Sequence, residues 1–268
     1  MARTDLEYPK RPFGTVKRYS PRASYALRTI HNIVNSVPIL HVSFNSPDSP
    51  FPVILPMIGH MGSFARPSSD EGDVLDLYLH GYVSSRMMNT SRAAPADDNT
   101  PAGLPVSIAA THVDGLVLAL TPNSHSMNYR SAVLFGHATV VEDTPEKLYA
   151  MELITDGVIR GRWPNTRLPP NGAEMSSTSV LKVTISTGSA KIRSGPPSDE
   201  KHDKENQEVV NRVWTGVVPM YQAFGDFIPG PYNKLDEVPK YLSSAVKDLN
   251  EIGQEQAVEA AGTTTPTK

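Results

Sequence analysis

The sequence predicts a mainly β fold, an antiparallel barrel with peripheral helices, and two observations predict it. Short apolar segments recur along the chain, most of them bounded by Pro, Gly, Asn, Asp or Ser, as strands joined by hairpins are. These segments number about seven against two or three helical patterns, and they do not alternate with helices as a parallel sheet requires. The 268 residues, 39% of them hydrophobic, suffice for one substantial core.

The N-terminal region divides into an arm and a helix. Residues 1–19 are polar, and we expect them to form a flexible arm. Ser20 followed by Pro21 predicts a helix start, because serine caps helix N-termini and proline is tolerated at the first helical position. Apolar residues at helical spacing continue to Val37, and Pro38 is expected to end the helix.

The middle of the chain carries most of the strand predictions. Residues Val74 to His80 alternate, with leucines on one face and a more polar face that ends in His80. Asp114-Gly115 lies between two apolar runs and therefore predicts a hairpin turn. The other predicted strands are Ile39–Phe44, Val53–Ile58, the long segment 129–141, Val180–Ser186 and, paired with the latter, Gly188–Arg193.

Composition also predicts the domain boundaries. We expect one domain over residues 20–230, followed by a C-terminal helix and a disordered tail over 231–268. Two polar segments, 89–103 and 195–208, are predicted to be exposed loops. Thr144, followed by proline and glutamate, is predicted to cap a further helix.

Composition and charge exclude several classes of protein. A net charge of -3 and a pI of about 6.2 do not provide the concentrated basic face that nucleic-acid binding needs. The absence of cysteine excludes disulfides, thiolate catalysis and cysteine-ligated metals. No apolar stretch approaches the ~18 residues of a membrane span, and the N-terminus has no apolar signal core. We therefore expect a cytoplasmic protein without membrane association.

Two hydrolase classes are also unsupported. The eight histidines include no pair at i, i+4 spacing and no His-Glu-x-x-His, so no metal site is predicted. The chain has no Gly-x-Ser-x-Gly, the turn that presents the nucleophile of a serine hydrolase.

One polar cluster follows directly after a predicted strand. Ser84, Ser85 and Arg86 follow the predicted strand Val74 to His80, and Gly81 would let the turn approach a ligand closely. Hydroxyls, an arginine and free backbone N–H groups are the donors that a phosphate monoester needs. The cluster by itself is also typical of an ordinary polar turn.

Three groups of segments share a resemblance to one known family. They are Leu77–Arg86; Asn128–Ala138 with the following helix; and Gly161–Pro164 together with Ser189–Gly195 and Trp214–Pro219. Their order and wording resemble the pyridoxamine 5'-phosphate oxidase-related FMN-binding family, especially its nitroimidazole-resistance branch, over roughly residues 20–230. The resemblance implies a Greek-key split β-barrel, bound FMN and a homodimer with the cofactor at the subunit interface.

The resemblance also implies roles for individual residues. It places Leu55–Ile58, which matches the family's edge strand, beside the flavin ring, and the turn Ser84–Arg86 on the phosphate. It places His80 near the flavin as a candidate for catalysis or substrate contact. Residues from a neighbouring strand and a late tryptophan would complete the site, the strand residues across a dimer interface. The implied cofactor-binding residues are Pro56, Met57, Ile58, His80, Ser84, Ser85, Arg86, Tyr129, Arg130, Ser131 and Trp214.

One departure from the family narrows the expected function. Met87 stands where the pyridoxamine oxidases have a phosphate-binding lysine, a residue that the nitroimidazole-resistance branch also lacks. We therefore expect an FMN-dependent oxidoreductase acting on a small molecule such as a nitroaromatic or quinone-like acceptor, rather than a pyridoxamine oxidase. The alternative is a non-catalytic flavin- or haem-binding module for storage, sensing or protection, in which His80 or His125 would be the haem ligand.

Overall fold

The computed structural model describes residues 5–94 and 101–262. The strands are β1 (Ala23–Ser24), β2 (Leu40–Phe44), β3 (Val53–Met57), β4 (Gly59–Gly62), β5 (Asp76–Tyr82), β6 (Leu104–Leu118), β7 (Ser126–Val140), β8 (Thr178–Arg193) and β9 (Gly216–Pro219). The helices are α1 (Leu27–Ser36), α2 (Arg86–Ala93), α3 (Thr144–Val158), α4 (Gly172–Ser177), α5 (Lys201–Glu205), α6 (Gln207–Arg212) and α7 (Lys240–Gly262).

The chain forms two compact units. The first comprises residues 1–111 and 131–190, and the second comprises residues 112–130 and 191–268. In the first unit the strands follow the order β3-β2-β6-β7-β8-β5-β4, in which the β2–β3, β2–β6, β5–β8 and β4–β5 pairs are antiparallel. In the second unit β9 pairs antiparallel with the end of β6. The predicted mainly β, antiparallel fold with peripheral helices is confirmed.

Both faces of β5 are covered, which corrects the predicted polar face. Leu77 and Leu79 are buried as expected, but Tyr78 on the opposite face is also 0% exposed, in a cluster with residues of α3. The Tyr78 hydroxyl donates to Glu146 Oε1 at 2.8 Å, and Lys182 Nζ donates to the same oxygen at 2.9 Å. Burial and the Glu146 carboxylate raise the pKa of Tyr78, so the phenol stays protonated.

From residue 5 onward, hydrogen bonds anchor the N-terminal arm at two points. The Tyr8 hydroxyl is buried 2.6 Å from His31 Nε2, and His31 Nδ1 lies 2.8 Å from the Glu71 carbonyl oxygen. Burial lowers the pKa of His31 to about 4, so the neutral ring donates through Nδ1 and accepts from the tyrosine. Thr187 Oγ1 donates to the Pro9 carbonyl at 2.7 Å and fixes the next part of the arm.

The packed arm also explains why the first helix starts later than predicted. Ser20–Arg22 is a single 3-10 turn, and α1 begins only at Leu27. The backbone N–H of Tyr8 donates to the Tyr25 carbonyl at 2.9 Å, and that of Leu27 donates to the Leu6 carbonyl at 2.8 Å. These two hydrogen bonds join the segment before α1 to the N-terminal arm and keep that segment out of the helical conformation.

The Asp114-Gly115 hairpin prediction is wrong, because β6 runs straight through both residues. The Asp114 carboxylate accepts two hydrogen bonds from Arg130, at 3.0 and 2.9 Å, so it is engaged by a neighbouring strand. A Cβ at Gly115 would lie 2.9 Å from a methyl group of Val217, so glycine is required by the close passage of β9. The chain reverses after β6, around a 3-10 turn at Pro122–Ser124.

The two predicted exposed loops are partly helical. Helix α2 occupies the start of 89–103, and Ser91 Oγ donates to the Ala138 carbonyl at 2.7 Å from a buried position; residues 95–100 lie outside the described part. The segment 195–208 contains α5 and the start of α6, and its Asp199 accepts from the Leu120 backbone N–H at 2.9 Å.

Two further elements are longer than predicted. Strand β8 is continuous where two paired strands were expected. Helix α7 extends to Gly262 through residues predicted to be disordered, while residues 263–268 lie outside the described part. Its end is held in the second unit, where Asn128 Nδ2 donates to the Ala260 carbonyl at 3.1 Å. No described helix, α7 included, combines the length and apolarity needed to cross a membrane.

The predicted helix after residue 143 exists as α3, but Asp143 rather than Thr144 caps it, accepting from the Glu146 N–H at 2.9 Å.

Candidate functional site

Three elements of the first unit meet where β5 ends. A Cβ at Gly81 would lie 3.1 Å from Cε of Met88 and 3.8 Å from Cε of Met57. The edge strand β3, the end of β5 and helix α2 therefore come together here. We call the set formed by Met57, Gly81 and residues 84–88 the Ser-Arg corner.

Helix α2 starts in this corner with a serine cap. Ser85 Oγ accepts a hydrogen bond from the Met88 backbone N–H at 3.4 Å, and the Ser85 N–H donates to the Tyr82 carbonyl at 2.9 Å. The remaining N–H groups of the first turn and the positive end of the helix dipole favour a negatively charged ligand. Ser84 is exposed beside them.

The two arginines of α2 differ in what they contact. Arg92 Nη1 donates to the Val83 carbonyl at 2.9 Å and to Asn89 Oδ1 at 3.2 Å, and its Nη2 donates to Ser179 Oγ at 3.2 Å. Arg86 is exposed, and among residues 5–94 and 101–262 its guanidinium has no partner. Arg92 therefore holds the turn in place, whereas Arg86 is available to a ligand. The sequence predicts a phosphate-binding role for Arg86 and no role for Arg92. Both arginines follow the strand, and only their contacts in the structure distinguish them.

The other predicted residues of the first unit have distinct positions. Pro56 is exposed on the edge strand β3, opposite His41 in the register, so the strand pairs regularly despite its proline. Ile58 packs partly into the cluster under α3 and contributes to the core. His80 is exposed on β5, opposite Val180 and next to Gly81 of the corner.

Met87 is fully buried, as is Met88 beside it. A lysine at position 87 would have to place its ammonium group in this apolar surrounding or displace the helix. The packing of α2 therefore favours methionine over lysine at position 87. The positive charge for any phosphate bound in the corner would have to come from Arg86.

Three of the predicted cofactor-binding residues, Tyr129, Arg130 and Trp214, belong to the second unit. The part of β7 that belongs to the first unit begins at Ser131, the fourth predicted residue. Tyr129 is half-buried on β7, and Arg130 is engaged by the buried Asp114. Trp214 is 66% exposed, and its ring lies over Gly216, where a Cβ would approach it to 2.7 Å. The Ser-Arg corner is thus assembled from the first unit without these residues.

The described histidines and acids do not cluster as metal ligands. Within residues 5–94 and 101–262, no group of three or more His, Asp or Glu side chains could hold a metal ion. His125, one of the two sequence candidates for a haem ligand, has its Nδ1 2.9 Å from the Thr121 carbonyl, which leaves only its other nitrogen open.

A family model described as pyridoxamine 5'-phosphate oxidase matches residues 27–192, more than half of the chain. The chain belongs to this family. The matched range contains β2 to β7, all but the last residue of β8 and the whole Ser-Arg corner, so the resemblance inferred from the motifs and the split-barrel fold are both confirmed. No curated protein matches the chain.

Solved structures extend the similarity beyond the family model. The flavocytochrome Anf3 from Azotobacter vinelandii is 27% identical with a TM-score of 0.71, over 90% of this chain and 99% of that one. The FAD and heme binding protein from Mycobacterium smegmatis is 24% identical with a TM-score of 0.67, over 84% and 97%. A putative 5-nitroimidazole antibiotic resistance protein from Bacteroides thetaiotaomicron is 19% identical with a TM-score of 0.45, over 63% and 86%.

Proposed function

We propose that this member of the pyridoxamine 5'-phosphate oxidase family binds FMN with its phosphate in the Ser-Arg corner and acts as an oxidoreductase. The observation that carries the proposal is the exposed, unpartnered guanidinium of Arg86 at the capped N-terminus of α2, next to the edge strand β3. A cation, hydroxyls and helix N–H groups at one point form a set of donors suited to a phosphate monoester.

The residues of the corner have separate tasks in this proposal. Arg86 and the first-turn N–H groups of α2 would bind the phosphate, and Ser84 would add a hydroxyl. Arg92 would keep the turn rigid through its contacts with Val83 and Ser179. Among the described residues β3 is the terminal strand of the sheet order, so the backbone groups of its outer edge would face the pyrimidine edge of the flavin ring. When bound, the flavin supplies the electron and hydride chemistry, so the protein has to orient the ring and admit the substrate.

The redox activity is tested by turnover under anaerobic conditions. Purified protein loaded with FMN is reduced with NADH or NADPH and then mixed with a nitroimidazole or a quinone. We expect reoxidation faster than that of free FMN at the same concentration, with His80→Ala slowing it if His80 contacts the acceptor. Rates equal to those of free FMN would mean that the protein holds the flavin without catalysis, which is the storage, sensing or protective alternative. Because reducing pyridine nucleotides are intracellular, a cytoplasmic location belongs to this proposal, and cell fractionation tests it.

A second candidate function is binding of haem beside the flavin. The similarity to a flavocytochrome at 27% identity over 90% of the chain favours it. The absorption spectrum of freshly purified protein separates the cases: flavin bands alone support the first candidate, a Soret band in addition supports both, and colourless protein argues against both. Chromatography of the released flavin distinguishes FMN from FAD.

A homodimer is also part of the proposal. In the second unit, the segment after β9 exposes large apolar side chains, with Ile228 and Tyr232 each 91% exposed and Leu235 61% exposed. Apolar side chains exposed this fully within one short segment suit an interaction site, and a second copy of the chain would cover them. Light scattering should give twice the monomer mass, and the double variant Ile228→Asp, Tyr232→Asp should shift it to one mass. A monomeric wild type that still holds FMN would contradict the dimer.

A further inference from the structure

The first unit contains a cleft of about 530 Å³ beside α3, and the cleft shares no residue with the Ser-Arg corner. Its lining comes from α3, from the 3-10 turn Trp163–Asn165 that follows α3, and from the segment 168–170. Four of the lining residues supply aliphatic surface: Leu148, Leu168, Pro169 and Pro170. A volume of this size lies within the range of small-molecule pockets, roughly 300–1,000 Å³.

Two aromatic residues of the cleft, Tyr149 and Trp163, are held in place by the chain around them. The Tyr149 hydroxyl accepts from the Ser63 backbone N–H at 2.9 Å, and the Tyr149 ring meets the buried Tyr78 ring edge to face with centroids 5.7 Å apart. The backbone N–H of Trp163 donates to Asp156 Oδ1 at 2.6 Å. Both side chains are half-buried, so each anchored residue still presents surface to the cleft.

Among the described residues, Glu152 is the only charged one that lines the cleft. It is exposed, and within residues 5–94 and 101–262 its carboxylate has no hydrogen-bond or ion-pair partner. Burial is the main cause that raises the pKa of Tyr149, and the Glu152 carboxylate adds to it, so this charge lies near the tyrosine. Asp156 follows one turn later on the same helix, and the last turn of α3 has no basic residue to offset the two acids.

Three basic residues are direct sequence neighbours of lining residues, and each of them is engaged elsewhere. Lys147 Nζ donates to the Met175 carbonyl at 2.6 Å, and the Arg167 guanidinium pairs with Glu174. Arg162 has a partner as well. None of these three neighbours supplies a counter-charge to the acid of the cleft. The C-terminal end of α3 also carries the negative end of the helix dipole, which favours a cation nearby.

We propose that this cleft binds a small organic cation, an ammonium or quaternary ammonium group that carries apolar substituents. Such a cation is attracted to the faces of tryptophan and tyrosine rings, which Trp163 and Tyr149 supply here. The Glu152 carboxylate provides the counter-charge, and the leucines and prolines suit the apolar part of the ligand. The Ser-Arg corner suits an anion, so the two sites of the first unit select ligands of opposite charge. Binding in the cleft goes beyond the proposed flavin function and does not require it.

The test is calorimetric titration of the full-length protein with choline and with benzyltrimethylammonium, with flavin content measured separately. We expect saturable binding of at least one of these cations. The neutral isostere of choline, in which carbon replaces nitrogen, should bind roughly tenfold more weakly than choline or worse, because it forms no cation–π contact and no ion pair. Trp214→Phe leaves Trp163 as the single tryptophan of the chain, and its fluorescence should change as the cation binds.

Side-chain variants test the charge of the cleft. Glu152→Gln should weaken binding of the cation by roughly two- to fivefold, the scale of an ion pair at an exposed position, and should leave the neutral isostere unaffected. Glu142→Gln is the matched control, because Glu142 is an exposed acid just before α3 that does not line the cleft. This control should bind the cation like the wild type, and neither variant should change the flavin content.

Four results would overturn this assignment. They are a wild type that binds neither cation saturably, equal binding of choline and its neutral isostere, unchanged affinity in Glu152→Gln, and a Trp163 fluorescence that does not respond to a bound cation. Each of them can occur with normal flavin content, so failure of the cleft is distinguishable from failure of the proposed flavin function. Cation binding by a protein that holds no flavin would support the cleft and count against the flavin proposal alone.

Discussion

The Ser-Arg corner and the Asp114–Arg130 pair both place an arginine among small polar residues, but only one of them satisfies its own polar groups. Arg130 donates two hydrogen bonds to a carboxylate whose side chain is 4% exposed. Arg86 is exposed at the N-terminus of α2, and its guanidinium has no hydrogen-bond or ion-pair partner among the described residues. In sequence both looked like candidates for binding a cofactor.

This difference shows which polar residues are available to bind a ligand. A buried pair that completes its hydrogen bonds within the chain contributes to the fold, and removing one partner leaves the other desolvated. An exposed cation beside unsatisfied helix N–H groups gains by binding an anion from solution. Arg130 therefore contributes to the architecture of the second unit, whereas Arg86 is the residue that we propose for the ligand.

The largest expected effect is loss of the buried carboxylate. Asp114→Ala should lower the free energy of unfolding by about 3–5 kcal/mol, because Arg130 would remain partly buried without its counter-charge. Urea denaturation measures this change. Asp114→Asn, which keeps the shape and one acceptor, should be less destabilising. An Asp114→Ala protein as stable as the wild type would show that the pair does not support the fold.

A second effect concerns the satisfied pair of Tyr8 and His31. The folded-state pKa of His31 is lowered from 6.5 to about 4, so the unfolded chain binds a proton between these values and the folded chain does not. Stability should therefore fall as the pH drops from about 6.5 to about 4, by up to about 3 kcal/mol, and change little from this group above pH 6.5.

Chemical denaturation at several pH values, on wild type and His31→Gln, measures this dependence. The variant should lose this part of the pH dependence, whereas His41→Gln, at an exposed position, should retain it. An unchanged slope in His31→Gln would mean that another group titrates in this range.

The smallest effect separates capping from phosphate binding at Ser85. Ser85→Ala removes the side chain that accepts from the Met88 N–H, and should cost about 1 kcal/mol of stability. Ser85→Asp retains a capping acceptor and should keep the stability, but its negative charge should weaken FMN binding. Thermal unfolding and FMN titration of the pair test this; an Asp variant that binds FMN as tightly as the wild type would place the phosphate elsewhere.

The sequence predicted the strand-rich fold well, because the strands depend on local patterns. Alternation in β5 and the order of the motifs identified where a strand leads into a serine-arginine turn. The approach of Met57 to the space beside Gly81 could not be predicted, since it brings residues from different strands together through tertiary packing.

The wrong predictions share one physical cause, which is tertiary contact overriding a local signal. Asp114-Gly115 is a turn sequence, but a salt bridge and the passage of β9 make it strand. The polar arm packs because Tyr8 finds a buried histidine, and α7 continues past residue 250 because its end is bound by Asn128. None of these partners lies near in sequence, so composition alone assigned those segments to loops and tails.

The most direct test of the phosphate assignment compares FMN with riboflavin, which lacks the phosphate, on wild type and Arg86→Ala. Fluorescence titration gives the four dissociation constants, with Arg86→Lys as the conservative variant. The account predicts that Arg86→Ala weakens FMN by about 1.5–3 kcal/mol, or roughly 10- to 150-fold, and leaves riboflavin nearly unchanged. Equal losses for both flavins, or no loss for FMN, would contradict the placement of the phosphate at the start of α2.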